Sequence, residues 1–526
     1  PDLTTNDPAK MQPSGGLTLD NLAVEYGCVV FAIAESPLEK GCIWAGTNDG
    51  LVQVTRNGGK NWTNLTKNIP GLPAWGTVSN IEPSRYDAGT AYLTVDFHQM
   101  NSRDPFVYKT ADYGKTWVSL SAGVPKSVFS YCHWVHEDPV RKGLLYLGTE
   151  NAIFVSFDDG KSWLPLQNNL PHAPVHHMVV QPHFNDLVVG TYGRGFWVMD
   201  DITPLQQLSD AVIQSAVHIF KPRPAYRLHS ITGGQRLTPE AYINYYLKDT
   251  PKGEVTVTIL GESGQTVASV PGTKQPGLNR VSWNLAYSGA RGAKLRTKPA
   301  GNPRVVEELR FRDTWEREGW YPLLSWGADA GFQGFLAAPG TYTVKLKAGD
   351  QEFSEKLEVK KDPHSAGTLA DIQEQVKLQL EIRDDLNVCS DMISRLEWMR
   401  KQLYGLKDVL ASGKDAAEIL PAIDEFDQKL QSVEYELFQK TLAEGDTKSF
   451  RDPQKIYMKL SVLSGDVSNS VDFAPNKQQR EVYAVLKERL AVRKARFDEI
   501  MKTDLPVFNK KLADRNIPGL VVPEIK

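Results

Sequence analysis

The feature that most constrains this chain is one turn, written three times. It reads Thr55-Arg56-Asn57-Gly58-Gly59-Lys60-Asn61-Trp62, then Thr110-Ala111-Asp112-Tyr113-Gly114-Lys115-Thr116-Trp117, then Ser156-Phe157-Asp158-Asp159-Gly160-Lys161-Ser162-Trp163. Each copy closes a similar run of short apolar segments. A first segment leads to a proline (Pro37, Pro83, Pro139). A second ends near Gly-Thr in the first and third copies (Gly46-Thr47, Gly148-Thr149), and a third runs into the octet. A fourth copy has Pro182, Gly190-Thr191 and Phe196-Trp197-Val198-Met199, then lapses into Asp200-Asp201-Ile202-Thr203-Pro204 without a closing tryptophan. A repeat of short strands at a near-constant period marks units that bury their faces only against one another.

The octet has the form S/T-x-D-x-G-x-T/S-W, the Asp-box. Its chemistry is that of a hairpin turn. The aspartate accepts backbone N–H groups, the glycine takes a conformation costly for other residues, and the tryptophan packs between neighbouring sheets. Asn57, Asp112 and Asp158, with Trp62, Trp117 and Trp163, are therefore expected to be structural. The first copy departs from the pattern, with Asn57 for Asp and Asn61 for Thr or Ser, and should make a weaker turn. Four such units in sequence are expected to be β-propeller blades. Propellers have about four to eight blades, and four do not easily close a ring alone. Pro1-Asp2-Leu3-Thr4 reads as the tail of one more blade, so a further propeller segment of the same protein is expected upstream as a partner.

The expected fold class is mainly β with an α C-terminus. Residues 1–210 are assigned to propeller blades forming a partial ring. Residues 211–363 read as an immunoglobulin-like β-sandwich, with alternating strands such as Val255-Thr256-Val257-Thr258-Ile259 and an arginine- and tryptophan-rich insert at 288–335. Within the insert, Val305 to Arg317 reads as a short helix. Residues 364–526 read as an antiparallel helical bundle. Thr368 and Asp371 fit a capping-box start, and Ile419, Ile423, Phe426, Leu430, Val433 and Leu437 mark one apolar helix face. Cys389 reads as a core residue, and the helices are a candidate surface for oligomerisation.

Composition narrows the function classes. Over 526 residues, Lys plus Arg is 60 and Asp plus Glu is 63, a net charge of −3, which argues against a nucleic-acid or polybasic membrane-surface partner. No apolar run reaches about 18 residues, so no membrane span is expected. The four cysteines include no CxxC pair, so neither a disulfide framework nor a zinc knuckle is indicated. No cofactor and no metal are expected.

Propeller geometry places the Asp-box turns at one end of the blades. The links between blades and the turns joining second and third strands lie at the other end, where ligands are usually bound. That end should carry Glu25, Tyr26, Trp75, Tyr131, His133, His172, His176 and His177 from the links. The turns should add Asn48, Asp49, Glu150, Asn151, Tyr192 and Arg194, with the enlarged loop Asp96 to Asp104 contributing His98 and Arg103. Loops longer than a turn needs tend to carry function. Arg194, flanked by Gly193 and Gly195, is the foremost ligand-binding candidate, able to grip a carboxylate or an acidic sugar. Tyr192, His98, Arg103, Trp75, Tyr26, His133 and His176 are the others. Glu25 and Asp96 are candidates for paired catalytic carboxylates, set against a reading in which they satisfy backbone groups. The histidines are set against metal ligation, because no Cys or carboxylate lies at fixed spacing.

The octets and Gly-Thr strands resemble sortilin-type and Asp-box (BNR) repeat propellers. The segments Phe31-Ala32-Ile33-Ala34-Glu35-Ser36-Pro37, Glu137-Asp138-Pro139, Gly190-Thr191-Tyr192-Gly193-Arg194-Gly195-Phe196-Trp197 and Asp504-Leu505-Pro506-Val507-Phe508-Asn509 are similar to large bacterial exported proteins classed as Asp-box repeat glycosyl hydrolases. The resemblance runs over nearly the whole chain. It implies an exported protein whose propeller precedes a β-sandwich and a helical region. The hydrolase label attaches to the Asp-box, which is a folding element. Two functions therefore stay open: a propeller that binds a glycan or protein ligand, and a glycoside hydrolase or lyase acting on a polysaccharide.

Overall fold

A computed structural model describes residues 1–7, 13–14, 18–19, 27–228, 240–323, 330–413, 416–445, 451–469 and 471–524. The chain divides into two compact units, Pro1–Ala216 and Val217–Lys526. No helix among the described residues is long and apolar enough to cross a membrane.

The first unit is built from four successive antiparallel sheets, each in simple meander order, beside a two-stranded pair, Pro13–Ser14 with Thr18–Leu19. The first runs Val30–Glu35, Ile43–Thr47, Val52–Thr55 and Thr63–Asn64. The second runs Thr77–Pro83, Ala91–Asp96, Phe106–Thr110 and Val118–Ser119. The third runs Cys132–Glu137, Leu145–Thr149, Ile153–Ser156 and Leu164–Pro165. The fourth has three strands, Val175–Gln181, Asp186–Thr191 and Phe196–Met199. Successive sheets meet through their first strands, the arrangement of propeller blades around an axis. Between the second and third blades this contact is a polar ladder. The Ser79 hydroxyl donates to the Cys132 carbonyl (3.1 Å), the Val135 N–H donates to Asn80 Oδ1 (3.1 Å), and His136 Nδ1 lies 3.0 Å from Glu82.

The octets form the hairpins between third and outer strands, and all three share one backbone bond. Asn57, Asp112 and Asp158 each accept the backbone N–H four residues on, at 3.0, 2.9 and 2.9 Å. Two successive residues in every octet hold positive φ: Gly58–Gly59, Tyr113–Gly114 and Asp159–Gly160. At Gly114 a Cβ would sit 2.3 Å from Leu65 of the preceding blade, and at Gly160 2.6 Å from Leu120. Only glycine meets both the torsion and the close approach. Trp117 and Trp163 are buried, Trp117 lying edge-on to Trp44 of the first blade at 6.1 Å.

After Met199 no outer strand of the fourth blade occurs among the described residues. Two five-residue helices, Thr203–Gln207 and Asp210–Gln214, follow instead. Ile202 and Leu205 complete the core of the third and fourth blades, and Arg141 Nη1 donates to the Leu205 carbonyl at 3.1 Å.

The second unit has two cores. One lies between a three-stranded sheet (Val217–Ile219, Ala241–Leu247, Gly277–Trp283) and a five-stranded sheet (Ala225–Arg227, Gln351–Lys361, Gly340–Ala348, Val255–Leu260, Thr266–Pro271). The other is shared by the helices Leu369–Leu410, Ala416–Leu437, Ile456–Ser468, Lys477–Glu499 and Leu505–Ala513. Thr368 and Asp371 form the capping box that starts the first of these, and Cys389 is fully buried in it. The segment between the sheets belongs to the helical core: Ala293, Leu295, Val305, Phe311 and Tyr321 are buried against the helices. Its own helix spans Leu309–Glu318.

Candidate functional site

Antiparallel strands put alternate connections at opposite ends, and the hydrogen bonds sort them in each blade. The octet turns bond to the first-to-second strand turns: Gly58 N–H to the Gly41 carbonyl (3.0 Å), Tyr113 to Gly89 (2.9 Å), Asp159 to Gly143 (2.9 Å). The second-to-third strand turns bond to the incoming links: Asn48 N–H to the Val29 carbonyl (3.1 Å), Glu150 to Tyr131 (3.2 Å), Tyr192 to Pro174 (2.9 Å). The octets thus stand at one end of each blade. Asn48, Glu150, Tyr192 and Arg194 stand at the other.

At this second end every first strand carries a β-bulge at the same place. The register slips between Val30 and Ala32, Val78 and Asn80, Cys132 and Trp134, and Val175 and His177. The unpaired residues are Phe31, Ser79, His133 and His176, and all four line one cavity. A bulge re-aims one side chain out of the sheet alternation; here four successive blades aim theirs at a common space.

The cavity has a volume of about 1060 Å³. Its wall also includes Cys28, Asn48, Asp49, Trp75, Asp96, His98, Tyr131, Glu150 and Tyr192. A chain of ring contacts crosses three blades: His98 stacks on Tyr131 (5.1 Å), Tyr131 meets His133 edge-on (5.3 Å), His133 stacks on His176 (4.2 Å) and His176 meets Tyr192 at a tilt (5.7 Å). Carboxylates are threaded into it. His98 Nδ1 lies 2.8 Å from Asp96 Oδ1, and His133 Nε2 lies 2.9 Å from Glu150 while its Nδ1 lies 3.8 Å from Asp96. Asp49 accepts the Thr5 N–H and hydroxyl through Oδ2, both at 2.6 Å, and its buried Oδ1 has no hydrogen-bond partner among the described residues. Burial and then the neighbouring His133 lower the pKa of His176. Burial, with Glu150 beside it, pushes the Tyr131 phenol up.

Six of the residues singled out as ligand-binding or catalytic candidates therefore meet in one cavity, Trp75, Asp96, His98, His133, His176 and Tyr192, and Asn48, Asp49, Tyr131 and Glu150, also expected at this end, line it with them. Arg103 lies outside its lining, with its guanidinium 5.4 Å over the Tyr131 ring. Arg194 sits in the exposed turn beside Tyr192, its carbonyl accepting Trp197 Nε1–H at 3.0 Å, and does not line the cavity. His172 is exposed, with Nδ1 3.3 Å from the Asn151 carbonyl, and His177 packs on Trp134 at 4.1 Å. Glu25 and Tyr26 lie outside the described residues. Phe31 and Ser79 were not expected at the site. Aligning the first strands on Val30, Val78, Cys132 and Val175 would have found them, because each bulge residue directly follows one of these.

No protein-family model matches the sequence, and no curated protein matches it. Solved structures with partial likeness include an ancestral GH74 enzyme at 14% identity, over 47% of this chain and 33% of that one, with a TM-score of 0.28. The GH74 xyloglucanase from Xanthomonas campestris matches at 14% identity over 63% of this chain and 54% of that one, TM-score 0.27. YCF48 bound to D1 peptide matches at 17% identity over 51% and 83%, TM-score 0.25. This chain thus spans about a third of the ancestral enzyme's length and about half of the xyloglucanase's. These scores are too low to bear on activity, and the propeller reading rests on the sheets themselves.

Proposed function

We propose that the blades are the recognition part of an exported protein and bind a glycan or a peptide in the cavity opposite the octets. The observation that carries this reading is the chain of ring contacts from His98 to Tyr192, interleaved with Asp96 and Glu150. Flat apolar faces set beside directional polar groups suit a ligand that presents both C–H faces and hydroxyls or amides. Glycoside hydrolysis or lysis is the second reading, favoured by three carboxylates, Asp49, Asp96 and Glu150, on one cavity wall. In the same reading residues 211–363 are an immunoglobulin-like sandwich. Residues 364–526 are an antiparallel helical bundle that joins the propeller to a partner or to the cell surface.

Further blades of the same repeat complete the ring in this proposal. The support is a change in burial at equivalent positions. Val78, Cys132 and Val175 are fully buried, while Val30 is 42% exposed. Val52, Val107 and Ile153 are buried, while Phe196 is 85% exposed. The outer faces of the first and fourth blades thus show the apolar surface that the inner faces bury.

Screening the protein against polysaccharide and peptide panels tests the reading. A bound ligand should lose about tenfold in affinity, about 1.4 kcal/mol, with Asp96→Asn or Tyr131→Ala, and much less with Arg194→Ala. Equal binding by wild type and both cavity variants would remove the assignment. Release of reducing ends, abolished by Asp96→Asn, would favour hydrolysis.

A further inference from the structure

We propose that the cavity holds one divalent transition-metal ion of the zinc class, bound by His133, Glu150 and His176. One ligand atom from each of the three lies within 4.8 Å of the other two. They come from different elements: His133 and His176 from the bulges of the third and fourth blades, Glu150 from the turn after the third blade's second strand. The bulges give the histidines their common direction, so the set is a product of the repeat rather than of sequence spacing.

Coordination distances of about 2.0–2.2 Å put tetrahedral ligand atoms about 3.3 Å apart. The His133–Glu150 contact of 2.9 Å would open by a few tenths of an ångström, and His176 would close inward by a rotamer adjustment. Two imidazoles and a carboxylate suit a borderline cation. His133 Nε2 faces Glu150 while Nδ1 lies 3.8 Å from the Asp96 carboxylate, beyond hydrogen-bond distance; the ring shift that metal binding requires would have to bring Nδ1 onto Asp96 for the carboxylate to orient the ring and raise its basicity. Asp96 is itself held by His98 at 2.8 Å. Three protein ligands leave a coordination position open to the cavity, where a hydroxyl or carboxylate of a ligand can bind.

The site does not depend on the identity of any organic ligand, so it is tested with the metal alone. The full chain is stripped with a chelator and titrated with Zn²⁺ by calorimetry and with Co²⁺ by visible absorption. The expected result is one equivalent bound, a raised melting temperature, and a Co²⁺ spectrum of a four- or five-coordinate nitrogen–oxygen site. His176→Gln and Glu150→Gln should each weaken binding by at least tenfold, and Asp96→Asn by about tenfold. His172→Gln, at an exposed histidine outside the cavity lining, should leave affinity unchanged. The inference is overturned by wild type that binds no stoichiometric metal. It is equally overturned if His176→Gln and Glu150→Gln bind as wild type does, or if His172→Gln abolishes binding. A glycan or peptide panel that finds no ligand would leave the metal result standing, and a failed titration would leave the panel result standing.

Discussion

At the scale of single residues, the three octets show which parts of the turn are interchangeable. In the second and third, Asp112 and Asp158 use both oxygens: one takes a backbone N–H, the other the hydroxyl of Thr116 (2.7 Å) or Ser162 (2.6 Å). In the first, position seven is Asn61, which has no hydroxyl, and position three is Asn57, with a single carbonyl oxygen. That oxygen still takes the Asn61 N–H and the Thr55 hydroxyl. The two departures are therefore matched, and the backbone bonds of the turn persist. The double change Asp112→Asn with Thr116→Asn should cost less than about 1 kcal/mol at neutral pH. Its pH dependence follows from the Thr116 backbone N–H, which with the Thr116 hydroxyl holds the Asp112 carboxyl below its ordinary value. A carboxyl lowered in the folded state contributes stability that is present above the unfolded value, near 3.8, and lost as pH falls through the folded one. Thermal melts from neutral pH to below pH ~3 should show a smaller acid loss in the double variant than in wild type.

At the scale of elements, one glycine in the second strand governs how blades stack. Gly148 faces the next blade, where a Cβ would meet the Val175 carbonyl at 2.7 Å and its Cγ1 at 2.8 Å. Gly190 holds the same place in the fourth blade, and a Cβ there meets only ordinary contacts at 3.7 Å. Gly148→Ala should destabilise the protein by about 1–3 kcal/mol, and Gly190→Ala should stay within about 0.5 kcal/mol. Denaturant melts of the two variants measure the difference, and a similar loss in both would mean that the fourth blade's face is already covered. The strands and octet turns were legible in the sequence because apolar runs and turn residues are local signals. The bulges were not. Val30-Phe31-Ala32, Val78-Ser79-Asn80, Cys132-His133-Trp134 and Val175-His176-His177 have in common only a valine or cysteine before the bulge, which does not itself signal one, and a slip in register exists only between paired strands.

At the scale of the whole molecule, the two units have separate cores and separate points of weakness. In the helical core, buried Arg400 donates to Glu397 (3.2 Å), Asp427 (2.9 Å) and Glu434 (2.5 Å). Burial raises the pKa of the Glu434 carboxyl well above its ordinary value, against the pull of Arg400. Glu397 also accepts the Thr297 N–H (2.7 Å) and hydroxyl (2.8 Å), tying the segment between the sheets to the first long helix. Arg400→Met leaves these carboxyls facing one another and should cost about 3–5 kcal/mol. Hydrogen exchange should rise through residues 369–437 and around Thr297, while the blade strands between Val30 and Met199 keep their protection.

Residue order alone determined the blade repeat, the chemistry of the octet turns, the apolar helix faces and the capping box at Thr368. Each is fixed within a few residues, where torsional preference and periodicity act directly. Only the tertiary structure decided which side chains share the cavity, that Arg194 stands outside it, and that residues around Leu295 and Phe311 join the helical core. Those outcomes depend on strand register and on contacts between residues a hundred or more positions apart, such as Thr297 with Glu397 and Ala293 with Tyr457, and no local pattern encodes them.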